Sequence, residues 1–364
     1  MWHNKDVKIG GSKMIEHYLI GTYTKKTSQG VYSVDLDTDK KVLQNLHLVG
    51  KAGNPTYVTE SNNKIVYAID KITDKKTGDV SGGVLALDPN AGELPYKEVG
   101  RAIDEHPSPA YISVDEGRHL VYTANYHAGY ISSYRIQKNG SVEIADQDMH
   151  KGTLGHRPEQ QDGPHPHYVD LTPDNHIVSV DLGVDKVYLY NVDKDGKFDV
   201  VSELQMDNGY GPRHIVFSHT KDVAYLVGEL SSHVAVLDYD RKNVKFSVKQ
   251  IVSTIPSDWT AHNGAAAIRI SKDDKFIYVS NRGNNSIVVF KIGDDDELEL
   301  IQRISTEGDF PRDFNLSDDQ SLLIASNQNS DNLVLYDRDA KTGKLSLISS
   351  DFKVPEPVCV ARMK

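Results

Sequence analysis

Cysteine is almost missing from this chain: Cys359 is the single one in 364 residues. An internal disulfide framework and a cysteine-based metal site are thereby excluded, and a reducing cytoplasm is the expected compartment. No apolar run approaches the ~20 residues of a membrane-spanning helix, so no membrane partner is expected. Positive charge is in deficit, with 41 Lys and Arg against 52 Asp and Glu and a formal charge of −11. Such a chain has no cationic excess with which to neutralise phosphates in bulk, so nucleic acid is not an expected partner either. Helical periodicity is nearly absent. The first residues are polar and Gly-containing and lack the apolar core of a signal peptide. Residues 1–14 are therefore expected to be a disordered lead or extension, and 15–364 a single domain.

What is present is a repeated sentence. A small or Pro-containing turn leads into a short apolar strand, then a polar turn, a second strand, an Asn/Gly/Asp-rich loop and a third strand. Copies begin at Asn54-Pro55-Thr56-Tyr57, Ser108-Pro109-Ala110-Tyr111, Pro166-His167-Tyr168-Val169, Gly211-Pro212-Arg213-His214, His262-Asn263-Gly264-Ala265 and Phe310-Pro311-Arg312-Asp313. Tyr67, Tyr122, Ser179, Tyr225, Tyr278 and Ile324 align across the copies as strand-ending positions, at intervals of roughly 50 residues, which suits a four-stranded propeller blade. Lys138-Asn139-Gly140, Lys194-Asp195-Gly196 and Lys341-Thr342-Gly343 stand where tight hairpins should turn. A seventh copy is split. Residues 17–49 hold three strand-like runs, and the segment Pro355 to Ala361 supplies the missing first strand. Joining them closes the ring and removes exposed sheet edges. The expected fold is all-β, a seven-bladed β-propeller of four-stranded antiparallel blades, closed by pairing of the chain's two ends. Two stacked sandwiches, the rival architecture, would not need one repeat throughout.

The register places residues as well as strands. In a blade the first strand is innermost, and the loop entering it shares a face with the loop between the second and third strands. One rim thus gathers His165 and His167, Arg213 and His214, Glu229, His262 and Asn263, Asn281 and Arg282, Arg312 and Asp313, Asn327 and Gln328, and from an earlier copy Asn125, Tyr126 and His127. Three arginines meet histidines and carboxylates on an otherwise acidic body. Guanidinium forks bind carboxylate or phosphate, and His and Glu offer proton acceptors near neutral pH. A small, anionic, hydrolysable substrate is expected, on the side of the ring built by the third to sixth copies.

Blander readings exist for the same residues. Arg213 and Glu229 could form only a structural ion pair, and His167 could be a hydrogen-bonding strand residue. Asn125, Asn281 and Asn327 occupy one repeat position and suit turns as well as ligands. His165-x-His167 could put two imidazoles on one strand face for a metal, but no acidic third ligand stands nearby in sequence.

Five motifs carry a resemblance: Gly-Pro-Arg-His-Ile-Val-Phe-Ser (211–218), Gly-Glu-Leu-Ser-Ser (228–232), His-Tyr-Val-Asp-Leu-Thr-Pro-Asp (167–174), Ser-Asn-Arg-Gly (280–283) and Phe-Pro-Arg-Asp-Phe (310–314). With them the chain, from about His17 to its C-terminus, resembles the propeller-type 6-phosphogluconolactonase family. That family also contains carboxy-muconate lactonizing enzymes. The resemblance implies opening of 6-phosphoglucono-δ-lactone in the pentose phosphate pathway; no cofactor and no metal are expected. It also implies catalytic roles for His167, Arg213, Glu229 and Arg282. Two places depart from the pattern: the long loop from Met149 to Gly163, which carries His156 and Arg157, and the degenerate turn from Glu60 to Lys64.

The expected chemistry is lactone hydrolysis by water. Glu229 or His167 would take its proton, Arg213 or Arg282 would stabilise the oxyanion, and a further arginine, with Arg312 the outer candidate, would hold the phosphate. His165, His214, His262, Asn263, Asn281, Arg312, Asn327, Gln328, Asn125 and His127 are the expected substrate-binding set. The partner is a small sugar-phosphate lactone, and the protein is expected to be a monomer or weak homodimer. Two other functions fit the same reading. One is a lactonase or cyclase for a different carboxylated lactone. The other is a non-catalytic ring scaffold, which would favour apolar or aromatic residues at the rim.

Overall fold

The computed structural model describes residues 15–364; the expectation for residues 1–14 lies outside the described residues. Twenty-eight strands form seven four-stranded antiparallel sheets. Numbered from the first unbroken copy, blades 1 to 6 span 58–104, 111–149, 166–205, 212–253, 264–305 and 311–353. The seventh blade is split as the repeat predicts. Its innermost strand is Pro357–Arg362, which pairs antiparallel with Ile15–Thr22, Leu19 opposite Ala361 and Ile20 opposite Val360. The innermost strands contact one another in sequence around the ring. Among the described residues there is no α-helix, only the 3-10 turns Pro89–Ala91 and Pro158–Gln160.

The repeat's tyrosines explain why the blades stay together. Tyr67, Tyr122, Tyr225 and Tyr278 are fully or almost fully buried. Tyr67 donates its hydroxyl to the Gly140 carbonyl at 3.0 Å, and Tyr278 donates to Gly343 at 2.8 Å. In each case an aromatic body fills the space between blades while its polar tip satisfies the hairpin of the next blade. Ser133 does the same toward Gly196, at 2.6 Å. Gly140, Gly196 and Gly343 adopt left-handed φ values of 86°, 86° and 70°, which only glycine takes without strain.

The aligned positions do not end their strands. They lie inside them, because pairing continues up to Asn125, Gly228, Arg282 and Asn327. Residues expected in loops, Asn125, Asn281, Arg282 and Asn327, are therefore strand ends of fixed direction.

Candidate active site

The functional rim is built on β-bulges. In the innermost strand of blade 3, Pro166 faces Asp181 and Tyr168 faces Val180, leaving His167 as the extra residue. Blade 4 repeats this at Arg213, between Pro212 opposite Gly228 and His214 opposite Val227. Blade 6 repeats it at Arg312, between Pro311 opposite Asn327 and Asp313 opposite Ser326. A bulge bends its strand and re-aims side chains, which is why bulges collect beside active sites. Here the extra residue is in turn His167, Arg213 and Arg312.

His167 and Arg312 border a cavity of about 350 Å³ at the mouth of the central channel. Its walls include Tyr23, Lys25, Asn54, Lys71, Tyr126, His127, His167, Glu229, Arg282 and Arg312. A second lobe of about 220 Å³ shares Glu229 and Arg282 and is bounded by Arg157, Glu159, His262, Asn263 and Phe310. The long loop noted in the sequence supplies Arg157 and Glu159, so it forms a wall of the site.

Glu229 is the hub. Its backbone is held between blades, with its N–H donating to the Gly211 carbonyl and its carbonyl accepting from Ala265 N–H. One carboxylate oxygen, Oε2, lies 2.9 Å from Arg213 Nε and 2.8 Å from Arg282 Nη2. Burial alone would raise its pKa, but the two guanidiniums outweigh that and hold it at about 2. Arg213 is buried and is pushed down to about 9 by burial and by Arg282, with Glu229 opposing, so it stays charged at neutral pH. Arg213 also donates through Nη1 to the Ala266 carbonyl and to His214 Nε2. Arg282 donates through Nε to Gly264 O and lies over the Phe310 ring. A Cβ on Gly264 would sit 2.8 Å from Arg282 Nη2, so glycine makes room for the guanidinium.

His167 is 4% exposed, and its Nδ1 is buried with no hydrogen-bond partner. Burial and then Arg213 push its pKa well below the usual histidine value, with Glu229 opposing. The imidazole is therefore neutral at neutral pH.

The remaining predicted residues divide. Arg312 and His127 line the larger lobe, and His262 and Asn263 the smaller. The Asn263 amide is already used, donating to Ser232 Oγ and Asn281 Oδ1, while its oxygen accepts from Asn284 N–H. Asn281 and Asn327 are fully buried and donate to the carbonyls of Thr254 and Thr306, and Asn125 donates to Ser132 Oγ. Asn281 and Asn327 fix connecting loops and Asn125 ties its strand to the next, and none of the three lines the cavity. Gln328 likewise lines neither lobe; its amide donates to Asn329. Arg213 stands behind Glu229 and does not line the cavity.

His165 and His167 do not share a strand face, because the bulge falls between Pro166 and Tyr168. His165 bonds the Tyr126 carbonyl and the Asp162 carboxylate and stacks on the Tyr126 ring at 4.3 Å. It positions Tyr126. Residues after each bulge point down the channel. His214 packs against Tyr57, Tyr111 and Tyr168, forming an aromatic floor beneath the cavity. Asp313 pairs with Arg269 below that floor.

The site is not confined to the third to sixth copies. Tyr23 and Lys25 come from the split blade, Asn54 and Lys71 from blade 1, and Tyr126 and His127 from blade 2. The sequence reading passed over the first four. Applying the register to the split blade would have found Tyr23-x-Lys25, since they follow its second strand as Tyr126 and Glu229 follow theirs.

Comparison with known proteins agrees with this fold. The family described as "Lactonase, 7-bladed beta-propeller" matches residues 17–362. The 6-phosphogluconolactonase of Bacillus subtilis (strain 168) is 43% identical over 347 residues, covering 94% of this chain and 96% of the relative. A crystal structure of a protein from Lactobacillus plantarum superposes with a TM-score of 0.92 at 48% identity, covering 96% of this chain and all of that one. The periplasmic gluconolactonase of Pseudomonas aeruginosa superposes with a TM-score of 0.87 at 25% identity, covering 96% and 99% of the two chains. With its seven closed blades and a match across nearly its whole length, the chain belongs to the lactonase seven-bladed β-propeller family.

Proposed function

We propose that this protein hydrolyses a phosphorylated δ-lactone, 6-phosphoglucono-δ-lactone, to the open acid with its own side chains and no metal. One observation carries the reading. Lys25, Lys71, Arg282 and Arg312 line a cavity whose one carboxylate, Glu229, is already paired with two arginines. Among the described residues, Lys25, Lys71 and Arg312 have no carboxylate within ion-pair distance. A cationic pocket in a chain of charge −11 selects a small anion. The Bacillus subtilis relative, named 6-phosphogluconolactonase, supports the choice of substrate.

The roles follow from what each group has left to offer. Glu229 is held at about 2 and already engages both guanidiniums, so it is a poor base and a good clamp. His167 lines the cavity as a neutral imidazole, and it takes the proton of the attacking water. Arg282 lines the cavity while it is anchored through Nε and Nη2, and its guanidinium stabilises the oxyanion. Arg213 acts through Glu229 as a positioning residue. Arg312, with Lys25 and Lys71, holds the phosphate.

The test is lactone opening followed by pH-stat, with and without chelator, on phosphorylated and unphosphorylated glucono-δ-lactone. Chelator-insensitive turnover that depends on the phosphate is expected. Equal rates on both lactones, or loss of activity with chelator, would overturn the proposal.

A further inference from the structure

Hydrolysis of a δ-lactone needs two proton transfers. A base takes a proton from water, and the ring oxygen must gain one as the C–O bond breaks. His167 and Arg282 account for attack and for the oxyanion, which leaves the departing alkoxide without a donor.

Tyr23 is placed to be that donor. It follows directly on the strand Ile15–Thr22, where the split blade reaches the rim. Its backbone is tied down on both sides. Thr22 N–H donates to the Pro55 carbonyl, Tyr23 N–H to the Glu356 carbonyl, and Thr24 N–H to Asn54 Oδ1 at 2.8 Å. The ring lines the same cavity as His167, Glu229 and Arg282. Lys25 Nζ stands 4.2 Å from its centroid and the Arg312 guanidinium 5.6 Å. Among the described residues its hydroxyl has no hydrogen-bond partner. By contrast, the buried tyrosines between blades spend theirs on carbonyls or carboxylates.

We propose that Tyr23 is a further catalytic residue, donating its phenolic proton to the lactone ring oxygen as the acyl C–O bond breaks. The inference rests on the lactonase reading of this site. The balance is complete. Water adds to the carbonyl as its proton goes to His167, the tetrahedral oxyanion collapses to the carboxyl group, and the ring oxygen leaves as a hydroxyl carrying the Tyr23 proton. The phenolate is then reprotonated from the imidazolium through solvent, and the new carboxyl group releases one proton. The charge around the phenol suits this role. Arg312 first, then Lys25, Arg282 and Arg213 lower its pKa against the effect of burial, whereas burial raises the neighbouring Tyr126. A phenol made more acidic by fixed cations transfers its proton more readily to an alkoxide.

The test is Tyr23→Phe, which removes one oxygen and keeps the ring between its two cations. Steady-state rates are measured on 6-phosphoglucono-δ-lactone and on its ring-sulfur thiolactone analogue. A thiolate leaves without a proton, since a thiol's pKa is near 8.5. The variant is expected to lose about 10²-fold in kcat on the oxygen lactone with little change in KM, and only a few-fold on the thiolactone. Equal losses on both substrates would assign Tyr23 a merely structural role and overturn the proposal, as would no loss on either or a change in KM alone. If the wild-type protein opens neither lactone, the lactonase reading itself fails, which is a different result from an unaffected variant.

Discussion

Glu229 lies between two guanidiniums, and both its chemistry and its contribution to stability follow from that position. Replacing it with Gln leaves Arg213 and Arg282 facing each other with no carboxylate between them. Removing one partner of a buried pair typically destabilises by about 3–5 kcal/mol. Glu229→Gln is therefore expected to lower the unfolding midpoint in denaturant as well as to reduce kcat by about 10²-fold or more. Proton linkage gives a second expectation. His167 and His214 are both held well below the histidine reference value, by burial first and then by Arg213. Below about pH 6.5 the unfolded chain binds protons at these positions and the folded chain does not, so stability falls as pH falls. Glu229, at about 2 when folded against ~4.3 when unfolded, adds a loss of the same sign below about pH 4.3. A series of thermal midpoints from pH 7.5 to 4 should decline throughout, and His214→Gln should flatten the upper part of the slope. A midpoint that rises on acidification would contradict the account.

At the level of single elements, bulges re-aim three of the candidate residues. Bulges also interrupt the inner strands of blade 5, between Ala265 and Ile268, and of the split blade, at Val358, so the residue a bulge carries matters as much as the bulge. The bulged strands of blades 3, 4 and 6 carry one extra residue each, and that residue is His167, Arg213 or Arg312. This explains what the sequence made legible. The blades could be read because tyrosine and glycine recur where neighbouring blades meet. The charged residues could be read because they break that pattern. The direction of each side chain could not, since a one-residue bulge reverses it: His214 and Asp313 share motifs with Arg213 and Arg312 yet face the opposite end of the channel. Tyr23 and Lys25 stand at a register position that can be read in the sequence, but the path of their loop is set by contacts from the far end of the chain. Glu356 accepts from the backbone N–H groups of Lys25 and Lys26 at 3.1 and 2.8 Å. Glu356→Ala should cost about 1–3 kcal/mol in stability through the unsatisfied donors. It should also lower kcat by loosening the Tyr23 loop, whereas unchanged kinetics with lowered stability would separate that loop from the chemistry.

Across the whole molecule, ring closure and the site depend on each other. The strand Pro357–Arg362 completes the seventh blade, and the segment just before it anchors the loop that brings Tyr23 and Lys25 to the rim. The cavity thereby draws residues from every sector of the ring, although the charged motifs cluster in the later copies. On the proposed reading, an acidic body around a cationic mouth favours a small anion over a neutral sugar. That selectivity is the central claim, and the ratio of kcat/KM for 6-phosphoglucono-δ-lactone to that for glucono-δ-lactone, in the wild type and in Arg312→Ala, tests it most directly. A charge-assisted hydrogen bond contributes about 1.5–3 kcal/mol, so the wild type should prefer the phosphorylated lactone by at least ~10-fold, and Arg312→Ala should reduce that preference by a comparable factor. A wild-type ratio near one, or a ratio that Arg312→Ala leaves unchanged, would contradict the account.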